Sequence, residues 1–179
     1  VLRHNNQRLI ITNGVRKEIQ RVKCQRLKNQ PFLLNELKNV IQEQKVLESQ
    51  IRGLGEKLGE SASPQDVDLS LMVLAAEMGR SENNILLVSD DFKMAKGART
   101  LALPYRTCPP STFIHKLSRL AGKQHGETLE ELARSIRAAE MRYTIQRAGT
   151  YNADAKLSWM IDSLLADETK EIEKKSDDD

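Results

Sequence analysis

The chain has 179 residues, 39% of them apolar, 30% charged and only 4% aromatic, which suits one domain plus an appendage packed through Leu, Ile, Val, Ala and Met. No apolar run is long enough to cross a bilayer, no charged-then-apolar leader opens the chain, and a net charge of +3 is too small to argue for nucleic acid by itself. Cys24 and Cys108 fit neither a metal-ligand spacing nor a disulfide framework, so a reducing cytoplasm is the expected compartment.

Leu9-Ile10-Ile11-Thr12 reads as a short buried strand. Asn13-Gly14 marks a turn, after which Val15, Ile19 and Val22 recur at helical spacing between Lys and Arg. Behind Pro31 a second helix is expected over 32–58, with Leu34, Leu37, Ile41, Leu47, Ile51 and Leu54 on one side and Gly53, Gly55 and Gly59 weakening its end. Ser63 is expected to cap a helix that begins at Pro64 and stops at Gly79. Ile85-Leu86-Leu87-Val88 reads as a strand covered on both faces. A helix over 91–97, a strand over 100–103 and a helix over 111–121 follow.

This alternation predicts an α/β fold, a parallel β-sheet sandwiched by helices, over residues 1–121. Residues 127–148 and 153–172 read as two amphipathic helices, making 122–172 a C-terminal helical extension. The charged end, 173–179, is expected to be a disordered acidic tail.

Acidic residues fall where such a sheet would use them. Asp90 and Asp91 follow the apolar strand 85–88, and the ligand crevice of a parallel sheet lies at the C-terminal ends of its strands. Asp66 and Asp68 sit in the first turn of the preceding helix, and Glu18 on the helix after the first strand. Clustered carboxylates repel unless a cation offsets them, and hard divalent ions take oxygen ligands. Such a site suits phosphodiester hydrolysis. Each acid also has an ordinary explanation: an Asp at a helix start is most often a cap, and Glu18 lies among solvated basic residues. The basic residues of 116–147, Lys116, Arg119, Lys123, Arg134, Arg137, Arg142 and Arg147, could track a phosphate backbone, or form an ordinary solvated face with their interleaved Glu residues. His4, His115 and His125 show no ligand spacing, and Trp159 reads as core or interface.

Three segments, Ile10–Ile19, Asp66–Gly79 and Ile85–Phe92, resemble in order and spacing the second, third and fourth acidic motifs of the PIN-domain ribonucleases, over about 9–115. The resemblance implies a metal-dependent endoribonuclease using Mg²⁺ or Mn²⁺, with Glu18, Asp68 and Asp91 as catalytic metal ligands. Asp66, Asp90 and Ser89 would support them, and Arg16, Lys17, Lys93, Lys96 and Arg99 would hold RNA. Nothing before Leu9 supplies the family's first acid, so the strand carrying it is expected to be missing, or the site to be degenerate. The alternative is a PIN-like module that binds RNA or protein without cutting it. A protein partner or second copy is expected on the C-terminal helices, and no membrane contact.

Overall fold

Strand β1 (Leu9–Thr12) forms where the sequence places it, and ends at Thr12, whose side chain is wholly buried. Helix α1 (Asn13–Arg21) starts directly behind it. The computed structural model describes residues 8–21, 40–61, 63, 66–147 and 152–176. The start of the expected 32–58 helix, 32–39, lies outside those residues. Its middle is a strand instead: β2 (Ile41–Gln44) pairs parallel with β1, Leu9 opposite Ile41 and Thr12 opposite Gln44. The helix α2 (Glu48–Leu58) starts only afterwards. The Gln50 side chain accepts the Leu47 backbone N–H at 3.0 Å, supporting that start. Gly59 ends the helix at φ 71°, a left-handed conformation that glycine adopts without strain.

Helix α3 (Val67–Ser81) is capped by Asp66 and not by Ser63: the Asp66 carboxylate accepts the Leu69 backbone N–H at 2.9 Å. It also runs past Gly79, so this glycine does not stop the helix. An ideal Cβ at Gly79 would lie 1.8 Å from the Pro104 carbonyl oxygen, and that close approach of two backbones is what requires glycine. Leu69, Met72, Val73, Leu74, Ala75 and Ala76 of α3 are buried, as are Ile51 and Leu54 of α2. Each large apolar side chain so buried contributes roughly 1.5–3 kcal/mol.

Strand β3 (Leu86–Val88) is followed by α4 (Phe92–Thr100). The run Thr100–Leu103, expected as a strand, is the helix end and a turn: Leu103 donates its N–H to the Ala98 carbonyl at 2.9 Å, and Ala102 takes φ 47°. The strand comes later, as β4 (Arg106–Cys108), parallel to β3 with Leu86 opposite Arg106 and Val88 opposite Cys108. Helices α5 (Pro110–Leu120), α6 (Lys123–Gln146) and α7 (Ala153–Ser176) complete the chain. Helix α7 thus reaches into the expected tail segment, and 177–179 lie outside the described residues.

The result is a mixed, helix-rich α/β chain whose described strands form two separate two-stranded parallel sheets. Two compact units contain them, residues 2–85 with 97–105, and residues 86–96 with 106–179. In the second unit Trp159 is core, 2% exposed, with Ala95 and Met160, and its ring meets Phe92 at 5.8 Å between centroids. No described helix is long and apolar enough to cross a membrane.

Candidate functional site

In the first unit the C-terminal end of β1 meets the start of α3. The Thr12 and Ser70 hydroxyls lie 2.9 Å apart, both residues buried. A Cβ on Gly14 would touch Val67 at 3.1 Å, so the first turns of α1 and α3 pack closely. This edge carries Asp66, committed to its cap, and Asp68, exposed in the first turn of the helix. Glu18 is exposed on α1. Beside it Arg16 forms an ion pair with Glu43 on β2, while Lys17 is exposed.

In the second unit the turn after β3 is built by its own polar groups. Ser89 prolongs the strand, donating its N–H to the Cys108 carbonyl at 3.1 Å. The Ser89 hydroxyl accepts the Asp91 N–H at 3.0 Å, and the Asp91 carboxylate accepts the Lys93 N–H at 2.8 Å. Ser89 therefore supports this turn, and Asp91 caps α4. A carboxylate has two oxygens with several lone pairs, so capping leaves Asp91 capacity to accept more.

Asp90 has a different partner. Its carboxylate lies 2.7 Å from the Lys156 ammonium on α7; the lysine side chain is 3% exposed and the aspartate 40%. Sequence reasoning missed Lys156, because a lysine at helical spacing with Leu157 and Met160 reads as solvated. Asp90, Asp91, Lys93, Tyr143, Thr144, Arg147 and Lys156 line one cavity of about 440 Å³. The Arg147 guanidinium lies over the Tyr143 ring, 4.7 Å from its centroid. Lys93, Lys96 and Arg99 are all exposed on α4, and of these Lys93 lines the cavity.

Beneath lies a buried acid, Glu140 on α6. Its carboxylate accepts the Ser111 backbone N–H at 3.1 Å and the Ser111 hydroxyl at 2.5 Å. Burial pushes its carboxyl above the usual value; the Ser111 bonds oppose this, Asp90 adds to it and Lys156 relieves it. A group whose folded value is raised contributes stability that is full below its unfolded value and is lost as pH rises through the folded one. The Glu140 contribution to the guanidinium unfolding midpoint is therefore expected to fall as pH rises through and above the usual carboxylate range, and Glu140→Gln is expected to remove that component. Identical pH profiles for the two proteins would refute it. On the same helix pair His115 Nδ1 lies 2.6 Å from Glu130, so this histidine is a packed residue. Burial opposes the ionised form of Glu130, but its bonds to His115, Ser118 and Arg134 outweigh that and hold its carboxyl below the usual value.

Glu18 and Asp68 thus belong to one unit and Asp91 to the other. Among the described residues no three His, Cys, Asp or Glu form a group able to hold a metal ion. Comparison with known proteins finds no matching family, no matching curated protein and no matching solved structure.

Proposed function

We propose that the chain is a PIN-like endoribonuclease that hydrolyses RNA phosphodiester bonds with Mg²⁺ or Mn²⁺. The observation that carries this reading is Asp91, placed directly beyond a parallel strand at the edge of a cavity also lined by Lys93, Arg147 and Lys156. Asp91 is a hard oxygen ligand of the kind either ion takes; Glu18 and Asp68 belong to the other unit, and no three acids among the described residues form a group able to hold the ion. Asp90 is the poorer ligand of its pair, because an ammonium already offsets its charge. A bound ion would activate water and offset charge on the phosphate. The chain's own part is to hold Asp91 through Ser89 and Lys93, to hold Asp90 through Lys156, and to receive phosphate with exposed cations.

The test separates ligand from cap. Asparagine caps a helix about as well as aspartate, so Asp91→Asn is expected to keep its unfolding midpoint and lose on the order of 100-fold or more in Mn²⁺-dependent RNA cleavage. Equal cleavage by variant and wild type rejects the role. A second reading, a non-cutting module that binds RNA or protein, has its own observation: Leu132, Met141 and Ile161 on α6 and α7 are large apolar side chains exposed by 39–53%. RNA binding with no cleavage by the wild type would favour it.

A further inference from the structure

Helices α6 and α7 lie side by side within the second unit. Lys156, near the start of α7, has its ammonium 5.9 Å from the Tyr143 ring, near the end of α6. Leu157, Met160, Ile161 and Leu164, further along α7, line one small cavity with Arg137 and Met141, which come earlier on α6. The two helices therefore run antiparallel. Their outer side is apolar. Ala138, Met141 and Ile145 recur at helical spacing on α6, and Leu157, Ile161 and Leu164 on α7. Met141, Ile145 and Ile161 are large side chains left exposed. The charges beside this strip are sorted by helix. From Leu132 to Gln146, α6 carries Arg134, Arg137 and Arg142, and its one acid, Glu140, is buried. From Ala153 to Ala166, α7 carries Asp154 and Asp162, both exposed, and its one cation, Lys156, is buried. Arg142 is exposed, and Arg134, 3.4 Å from Glu130, keeps 70% of its side chain exposed.

We infer that two copies of the chain meet on this face, about a two-fold axis parallel to the helices. Such an axis sets one surface against an identical one. A face of a single sign would repel itself. Here the axis lays the basic α6 on the acidic α7 of the second copy, twice over, with the apolar strips between them. The product is a four-helix arrangement, in which helix pairs bury their apolar faces on each other. An axis across the helices would set α6 on α6 and α7 on α7, like charge on like. Removing the apolar strip from water drives the contact, and the sorted charges select this pairing over the other. The face spans residues 134–145 and 154–165, about 18 Å along each helix and about 20 Å across the pair. That is small for a specific interface, so a Kd on the order of 10 µM is expected. The inference is independent of the nuclease reading, since Glu18, Asp68 and Asp91 all lie off this face.

Sedimentation equilibrium of the full chain, over concentrations spanning that Kd, tests it. Wild type is expected to pass from monomer to dimer with no larger species, because a two-fold contact closes on itself. Ile161→Asp puts a carboxylate in the middle of the strip and is expected to stay monomeric throughout. Leu47→Asp, at a comparably exposed leucine before α2, is expected to dimerise as wild type. Arg142→Glu and Asp162→Arg are each expected to weaken self-association about tenfold, since each sets like charges together on both sides of the axis. An equimolar mixture of these two variants is expected to return to within about twofold of wild-type affinity, because the mixed dimer alone restores opposite charges at both places. Both substitutions are at exposed positions, and far-ultraviolet circular dichroism checks that the helices are intact. A wild type that stays monomeric at the highest concentration overturns the inference, as do open-ended oligomers or a mixture that associates no better than its components.

Discussion

Asp90→Ala is expected to cost about 3 kcal/mol of stability, the range for stripping a buried ion of its partner, whereas Lys156→Met is expected to cost about 1 kcal/mol or less. The asymmetry follows from exposure. Lys156 is 3% exposed at its side chain and Asp90 is 40% exposed. Removing the aspartate takes the 2.7 Å counter-charge from an ammonium that water hardly reaches. The Glu140 carboxylate and the Tyr143 ring, 5.9 Å away, are weaker company than an ion pair at 2.7 Å. Removing the lysine instead leaves a carboxylate that water can solvate, while methionine fills the apolar channel of the lysine stem. The double variant is expected to recover most of the loss, because no buried charge is left unmatched. Guanidinium unfolding of the four proteins measures this cycle. A Lys156→Met protein less stable than Asp90→Ala would overturn the account.

Gly79→Ala is expected to be at least as damaging, about 3 kcal/mol or more, although alanine is the better helix former by about 1 kcal/mol. The added methyl would sit 1.8 Å from the Pro104 carbonyl oxygen and 2.8 Å from its carbonyl carbon. Both are backbone atoms, so no side-chain rotation relieves the overlap. The segment is also stiff: proline fixes its own φ, and Tyr105 donates its N–H to the Leu103 carbonyl at 2.8 Å across it. Helix α3 or the 103–105 turn has to move, and the buried face of α3 moves with it. The unfolding midpoint is the measurement; a Gly79→Ala protein as stable as wild type would show that the turn yields freely. Gly53 makes the matched control, because a Cβ there meets nothing within 4 Å, and Gly53→Ala is expected to be neutral or slightly stabilising.

These two positions also mark how far local pattern carries. Gly79 looked like a helix stop, since glycine near the end of an apolar repeat usually is one; the carbonyl that explains it lies beyond the next strand and helix. Lys156 carries no local signal for the same reason, since its partner Asp90 lies far away in the chain. Strand β2 was read as helix because Ile41-Gln42-Glu43-Gln44 offers one apolar residue and weak strand propensity, and only pairing with β1 makes it extended. Residues 100–103 were read as a strand because a short apolar run does not distinguish a strand from a helix end.

What the residues determine on their own is what a few neighbours can decide: the apolar faces of α3 and α7, strands β1 and β3, a cap at the start of α3, and the Ser89-Asp90-Asp91 turn that places acids beyond a strand. Hydrogen bonds two or three residues long build that turn, so it is legible from its own letters. Tertiary structure alone decided the division of the strands into two parallel pairs, the buried partner of Asp90, and the cavity that α6 and α7 close around it. Those features depend on which distant segments exclude water together, and burial of that kind has no period in the sequence.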